Sequence, residues 1–363
     1  MSEFELWLRE EFRSTERRTP LLPEGAKELV KAGIKVVVEE SEKRIFSNDA
    51  YAEAGCELVR AGSWQRAPRT ATILGLKELP CQPCALRNTH VYFAHAFKEQ
   101  AGWQDLLTRF EVGGGSLLDI EYMVDEEGRR VVAFGYWAGY MGAALALMQW
   151  YDKKAGRAST IAKDLQPFEC ADTLDEIIRN LKTGDNAPKA LVIGAGGRSG
   201  KGAAEIFERH GIEVTKWGRK ETANLDRDVI LSHDILVNCS FVADMIPPFL
   251  RTEDLNKDMK LQVISDVSCD PFSEFNPLPL YAAPTPWDAP FATVENGDAS
   301  LDLIAIDNLP SLLPREASDE FAGLLLPYLK TLDKPAADPV WAASKSSFDV
   351  ACEQMHAEIK IAS

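Results

Sequence analysis

Apolar residues in this chain occur as short continuous runs, and stretches with helical periodicity separate one run from the next. The first half carries such a run at 34–38 and further strand candidates at 72–76, 90–94 and 117–122. Continuous apolar runs of this length are typical of strands that are buried on both faces of a parallel sheet. Their alternation with helical segments predicts a βα architecture.

The second half repeats the alternation, with strands predicted at 190–193, 213–217, 234–239, 261–267 and 303–306. A proline-free segment, GYWAGYMGAALALMQWYDKKAG at 135–156, separates the two series and is rich in Ala, Leu, Met and aromatic residues. This composition predicts a long, largely buried helix. We therefore expect an α/β protein with two Rossmann-like parallel-sheet domains that flank a cleft, linked by this helix.

The domain boundaries follow from where the two series begin and end. We expect residues 1–134 plus 314–363 to form a discontinuous substrate or catalytic domain, completed by a closing helix at 342–360. Residues 135–313 are expected to form the dinucleotide-binding domain. The alternating run at 3–9 and the run at 129–134 are further predicted strands of the first domain.

A glycine cluster follows the apolar run at 190–193, and helical character resumes at Lys201. Glycines let a backbone turn tightly and approach a pyrophosphate, and the next helix offers unpaired N–H groups to it. A strict G-x-G-x-x-G would place its third glycine at Ser199, so an ordinary glycine-rich turn is the alternative. The candidate cofactor-binding residues here are Gly194, Gly196, Gly197, Arg198, Ser199 and Gly200.

Composition narrows the classes of function. The chain has 363 residues, a formal net charge of −16, 45% hydrophobic residues and 26% charged residues. This charge argues against a nucleic-acid binder and against attachment to an anionic membrane surface. We expect no membrane span, no signal peptide and, from seven scattered cysteines, reduced thiols in the cytoplasm.

Charged residues stand at the ends of several predicted strands of the first domain. Lys77, Glu78 and His95 follow strands, Glu121 lies at the end of another, and Arg129 and Arg130 open the next. Because ligands of open parallel sheets bind outside the carboxyl ends of the strands, we expect these side chains to face one cleft. Each alone has a structural explanation as a solvated or hydrogen-bonded residue. Together they are the parts of a general-base site that also recognises carboxylates.

The chain contains four longer distinctive strings: LGLKELP, YFAHAFKEQAGWQDLLTRF, GRRVVAFGYWAGYMGAAL and IDNLPSLLPREAS. These strings resemble the lysine-forming saccharopine dehydrogenases, which belong to the alanine dehydrogenase and transhydrogenase structural class. The resemblance extends over nearly the whole chain, from LWLRE to PVWAASKSSFD. It implies a reversible NAD(P)-dependent oxidative deamination of saccharopine to L-lysine and 2-oxoglutarate, in lysine metabolism.

The resemblance also implies residue roles. Lys77 and His95 match the acid–base pair of the family, and Arg18 matches an arginine implicated in substrate binding. The remaining matches are two acids that tune the lysine, an arginine near the cofactor and the aspartate of the IDNLPSLLPRE motif, namely Glu78, Glu121, Arg130 and Asp307. We expect the last two to contact both substrate and cofactor.

The chemistry fits these residue types. Hydride leaves the substrate carbon only when the secondary amine is neutral, so a base must take its proton, and Lys77 suits this if its pKa is lowered. The resulting imine needs water addition and collapse of a carbinolamine, proton transfers for which His95 is suited. Arginines are expected because saccharopine carries three carboxylates.

One local departure concerns the cofactor. Family members are typically NAD-specific and hold the adenosine ribose with an aspartate at the end of the second nucleotide strand. This chain has Gly218 there, followed by Arg219 and Lys220. Loss of the carboxylate and gain of an arginine favour NADP. The alternative is that Arg219 is solvated and NAD still binds.

Other readings stay open. Cys81 and Cys84, with His90 and His95 downstream, resemble a zinc site, but the spacing is too short for the usual finger, and we expect no metal. A related opine or amino-acid dehydrogenase, or a non-catalytic nicotinamide-nucleotide-binding protein, would also explain the glycine cluster. We expect small-molecule substrates, no nucleic-acid partner, and a monomer or small homo-oligomer.

Overall fold

The computed structural model describes residues 4–94, 102–162, 165–184, 187–256 and 258–362. The chain divides into two units: residues 1–133 with 317–363 form unit 1, and residues 134–316 form unit 2. No helix in the described ranges is both long enough and apolar enough to cross a membrane.

Each unit contains one six-stranded sheet. The strands of unit 1 are β1 (Glu5–Leu8), β2 (Lys35–Glu39), β3 (Glu57–Val59), β4 (Thr72–Leu74), β5 (Thr89–Tyr92) and β6 (Ser116–Asp119). The strands of unit 2 are β7 (Lys189–Ile193), β8 (Glu213–Trp217), β9 (Ile235–Asn238), β10 (Val263–Asp266), β11 (Ala292–Asn296) and β12 (Ala299–Ile304).

The described residues also form ten α-helices, five of which lie wholly in unit 2. In chain order they are α1 (Pro23–Lys31), α2 (Asn48–Glu53), α3 (Trp103–Gly113), α4 (Gly135–Lys154), α5 (Ala171–Leu181), α6 (Arg198–Arg209), α7 (Arg219–Ala223), α8 (Arg227–Leu231), α9 (Pro314–Leu329) and α10 (Pro339–Ala362).

The unit 1 sheet has the order β3-β2-β1-β4-β5-β6, and every neighbouring pair is parallel. Its strands are mostly buried, apart from the edge strand β3; Leu6, Val37 and Val91, for example, are fully covered. Helix α10 packs against β6 and brings Phe348 and Met355 into this core. The strand order reverses at β1, which has β2 on one side and β4 on the other.

The unit 2 sheet has the order β11-β12-β10-β9-β7-β8 and is parallel except for β11. Here the strand order reverses at β7, which has β8 on one side and β9 on the other. Helix α4 is buried over residues 139–152 and packs against α6, β9 and β10. Glycines allow its contact with α6, because a Cβ on Gly139 would lie 1.7 Å from the Ser199 carbonyl oxygen.

The α/β class with two mostly parallel sheets is confirmed, and so is the long buried helix α4. The strand predicted at 213–217 matches β8 residue for residue. The predicted strand at 129–134 is wrong, since only Arg130 forms an isolated bridge, with Val124. Asp125 accepts the backbone N–H groups of Glu127 and Arg129 at 3.1 and 2.8 Å. In this turn the two N–H groups are therefore not available to a β-ladder.

Candidate functional site

The carboxyl ends of β1, β4, β5 and β6 meet at one edge of the unit 1 sheet, because these strands are parallel neighbours. In open parallel sheets the ligand site lies at this edge, where the strand order reverses. The reversal here is between β1 and β4. The residues that follow these two strands are therefore the first to examine.

Lys77 follows β4, and two residues after β1 hold its backbone. Glu11 accepts the N–H groups of Leu76 and Lys77 on its two carboxylate oxygens, at 2.7 and 2.9 Å. Arg9 donates to the carbonyl of Lys77 and pairs with Glu11 at 3.4 Å. The side chains of Arg9 and Glu11 are only 1% and 6% exposed. Both polar groups of the Lys77 backbone are thus bonded to a buried ion pair, while its side chain is half-buried.

A second buried ion pair lies within electrostatic reach of Lys77. Arg18 donates through Nε and Nη2 to the two oxygens of Glu16, at 2.8 and 2.7 Å, and both side chains are almost completely buried. Burial raises the pKa of Glu16, but the charge and hydrogen bonds of Arg18 and the charge of Lys77 outweigh burial and hold it below its ordinary value. The lowered pKa keeps Glu16 ionised at neutral pH, within electrostatic reach of Lys77.

Sequence analysis did not single out Glu11 or Glu16. Both lie in a charged loop, EEFRSTERR, that reads as a solvated connection. No periodicity distinguishes an acid that folds inward from its neighbours, and only the pairing with Arg9 and Arg18 reveals them.

The two acids expected to tune the lysine are each paired with an arginine. Arg13 donates to Glu78, and both side chains are a little under half exposed. Burial raises the pKa of Glu78, but the hydrogen bond from Arg13 is the main influence that brings it below its ordinary value. Glu121 follows β6 and accepts from Arg130 at 3.0 Å.

His95 lies outside the described residues, which end here at Ala94, two positions after the end of β5. Ala94 donates its N–H to Asp119 at 3.3 Å, which ties the described end of this segment to the carboxyl end of β6. The role of His95 stays a prediction.

His90 is not at that edge but in the core. Its ring packs edge-on against Trp64 and Phe110, with centroids 5.3 and 5.5 Å apart. Burial lowers its pKa to about 3. Cys81 and Cys84 are exposed. Within the described ranges, no group of three or more His, Cys, Asp or Glu is arranged to hold a metal ion.

The glycine cluster of unit 2 forms a tight turn between β7 and α6. Gly194 has φ of 78° and donates its N–H to the Trp217 carbonyl at 2.9 Å. A Cβ on Gly200 would lie 2.2 Å from the carbonyl oxygen of Gly194, whereas a Cβ on Gly196 would meet nothing within 4 Å. The turn thus needs glycine at 194 and 200 for its own geometry, and at 196 it presents open backbone.

Helix α6 begins at Arg198, three residues earlier than expected, with Gly197 as its N-cap. No side chain caps this end, and residues 196–198 are exposed. The N–H groups of the first turn therefore face outward, as a bound phosphate requires. The turn and the helix fit the pyrophosphate of a dinucleotide, with Ser199 half-buried in the first turn.

The remaining cofactor candidates also follow strands of unit 2. Gly218 follows β8, and Arg219 and Lys220 are exposed in the first turn of α7. Asp307 is exposed three residues beyond β12, close enough to Cys269 for its charge to raise the pKa of that thiol, after burial as the larger cause.

Comparisons with known proteins agree with this architecture. The family model described as alanine dehydrogenase/PNT, N-terminal domain, matches residues 7–141. Saccharopine dehydrogenase (NAD(+), L-lysine-forming) of Neurospora crassa is 42% identical over 354 residues, covering 95% of each chain.

Two solved structures share the fold. An L-alanine dehydrogenase superposes with a TM-score of 0.62 at 16% identity, over 95% of this chain and 93% of the other. A transhydrogenase from Sinorhizobium meliloti superposes with a TM-score of 0.66 at 15% identity, over 94% of this chain and 97% of the other.

Proposed function

The chain belongs to the family of L-lysine-forming saccharopine dehydrogenases, and from this premise we propose that it catalyses the reversible oxidative deamination of saccharopine. The products are L-lysine and 2-oxoglutarate, with NAD+ reduced and one water consumed. Bound NAD+ supplies the hydride acceptor. The observation that carries the proposal is the position of Lys77, whose backbone is held by a buried ion pair at the ligand edge of the unit 1 sheet.

Lys77 is proposed to take the proton of the secondary amine of saccharopine. A fixed backbone fixes the point from which the Lys77 side chain starts, which limits the region that Nζ can reach and favours proton transfer to a bound amine. Glu16, ionised and close to Lys77, then balances the positive charge that Lys77 gains when it accepts the proton.

His95 is proposed to assist the later steps. Water adds to the imine carbon, and the carbinolamine then loses lysine while the carbonyl of 2-oxoglutarate forms. One group must take a proton from water or hydroxyl and return it to the leaving nitrogen. An imidazole titrates near neutral pH and can do both.

Positively charged side chains are needed to bind the carboxylates of saccharopine. Arg130 is about half exposed, its Glu121 partner being the more buried of the two. Arg18 is buried and forked onto Glu16, so we propose that it acts mainly by holding Glu16 and by its positive charge. Glu78 and Arg13 form an ion pair beside Lys77 that orders the entrance to this edge.

NAD is the cofactor we propose, because it is the cofactor in the names of the relatives. The expectation of an NADP preference from Gly218 and Arg219 finds no support in those names. Unit 2 is proposed to hold the dinucleotide, with its pyrophosphate on the Gly194–Gly200 turn and α6, and with Asp307 beside it. Unit 1 is proposed to hold the amino-acid substrate, and the cytoplasm is the expected compartment.

The test is a spectrophotometric assay with lysine, 2-oxoglutarate and either NADH or NADPH. We expect turnover with NADH, a strong loss of kcat in Lys77→Met and in His95→Gln, and near abolition in the double variant. Normal turnover of the double variant would refute the assigned roles. Oxidation of NADH with another amine or keto acid, but not with this pair, would favour a related opine dehydrogenase.

A further inference from the structure

The end of β8 carries a carboxylate that the sequence pattern hides. In Rossmann folds an acidic residue roughly 20 positions beyond the glycine turn accepts the ribose hydroxyls of NAD. Gly218 stands at this point, directly after Trp217, and has no side chain to do so. The neighbouring helix α7 begins with two cations, Arg219 and Lys220, and has Glu221 as its third residue.

Glu221 folds back onto the end of the strand. Its Oε2 accepts the backbone N–H of Gly218 at 2.8 Å. The same oxygen lies 3.6 Å from the point that a Cβ on Gly218 would occupy. A carboxylate oxygen is therefore fixed next to the position of the missing acid, but it is delivered from the first turn of α7.

The carboxylate is ionised and partly open to solvent. The N–H of Gly218, the N–H of Glu221 itself and the charge of Lys220 hold the pKa of Glu221 below its ordinary value. A side chain at 218 would lie in van der Waals contact with this carboxylate. An aspartate there would bring a second negative charge against Glu221 Oε2, and like charges in contact repel.

We propose that Glu221 accepts the adenosine ribose hydroxyls and selects NAD over NADP, an inference that rests on the proposed function of unit 2. The 2′-phosphate of NADP at the ribose position would bring its negative charge next to the Glu221 carboxylate, which a hydrogen bond from the Gly218 N–H keeps in position. Arg219 and Lys220 are exposed, and their attraction is screened by water and salt. The fixed acid, rather than the number of nearby cations, then decides the choice.

The experiment measures Kd for NADH and NADPH by fluorescence titration of the full chain, without amino-acid substrate. Glu221→Gln keeps an oxygen for the Gly218 N–H and removes the charge. We expect it to shift the ratio of Kd(NADPH) to Kd(NADH) toward NADPH by about tenfold or more. Gly218→Asp combined with Glu221→Gln returns an acid to the strand end and is expected to restore the preference for NADH.

Glu213→Gln is the matched control. Glu213 is an exposed acid at the opposite end of β8, paired with Lys189 at 3.6 Å, and its removal changes net charge equally. We expect it to leave the ratio unchanged. An unchanged ratio in Glu221→Gln, or a wild-type chain that binds NADPH more tightly, overturns the inference. Tight NADH binding without turnover of saccharopine leaves the inference standing and overturns the proposed function.

Discussion

Arg9 and Gly75 are packed so closely that a side chain at position 75 has no room: a Cβ there would lie 2.3 Å from Nε of Arg9 and 2.5 Å from its Cζ. The guanidinium cannot move aside cheaply, because it is buried, pairs with Glu11 and donates to the Lys77 carbonyl. Gly75 thus permits the ion pair that holds the backbone of the proposed base. This relationship links a glycine without an unusual φ to the proposed base.

Gly75→Ala is therefore expected to disturb both stability and turnover. Displacing Arg9 loosens the Lys77 backbone and forces overpacking, which costs about 1–3 kcal/mol of the free energy of unfolding. Urea unfolding and kcat measure the two effects. Gly323→Ala is the matched control, because a Cβ there meets nothing within 4 Å, and alanine in helix α9 is expected to stabilise the chain slightly. Full turnover in Gly75→Ala would contradict the proposed link.

Removing the Glu16 charge is expected to take away the carboxylate onto which the buried Arg18 guanidinium is forked. Breaking such a pair costs about 3–5 kcal/mol. Because the folded-state pKa of Glu16 lies below its unfolded value, the stability it contributes is present above about pH 4.3 and is lost as pH falls through the folded value. The difference in unfolding free energy between wild type and Glu16→Gln should therefore shrink in acid. Glu127→Gln, in an exposed pair with Arg129, serves as control and should differ little from wild type at any pH.

His90 is expected to make unit 1 sensitive to acid. The unfolded histidine gains its proton near pH 6.5, whereas burial keeps the folded one neutral down to about pH 3. Between these values the unfolded state binds more protons, so stability falls as pH falls, by at most about 1.4 kcal/mol per pH unit. His90→Phe should flatten this dependence in urea unfolding at pH 7, 5.5 and 4.5. An unchanged pH dependence in His90→Phe would argue against burial of this ring as the cause.

The glycine turn allows stability and binding to be separated. Alanine at 196 meets no atom of the folded chain, whereas alanine at 200 would lie 2.2 Å from the Gly194 carbonyl oxygen. We expect Gly196→Ala to keep the wild-type Tm and to weaken NADH binding, since a methyl group blocks the close approach of the pyrophosphate. Gly200→Ala should lower Tm as well. Unchanged NADH affinity in Gly196→Ala would show that the dinucleotide does not approach the turn there.

Local sequence determined most of the strands and the long helix. The run at 34–38 is mainly apolar, and the run at 213–217 lies between glycines. From these features β2 and β8 could be placed within a residue or two. The glycine cluster and the string containing Lys77 could also be recognised, because their chemistry depends on neighbours along the chain. The strand expected at 129–134 is wrong because the chain turns there: Asp125 accepts the Arg129 N–H, and only an isolated bridge between Val124 and Arg130 forms.

Only the tertiary structure decided which acidic side chains belong to the candidate sites. Glu11, Glu16 and Glu221 look like ordinary surface residues in the sequence, since each stands among other charges in a polar stretch. Each becomes distinctive through a partner that folding supplies: the Lys77 N–H, the Arg18 guanidinium and the Gly218 N–H at the end of a strand. Apolar patterning records burial along one element, whereas the direction in which a loop carboxylate turns depends on hydrogen-bond donors that other elements bring to it.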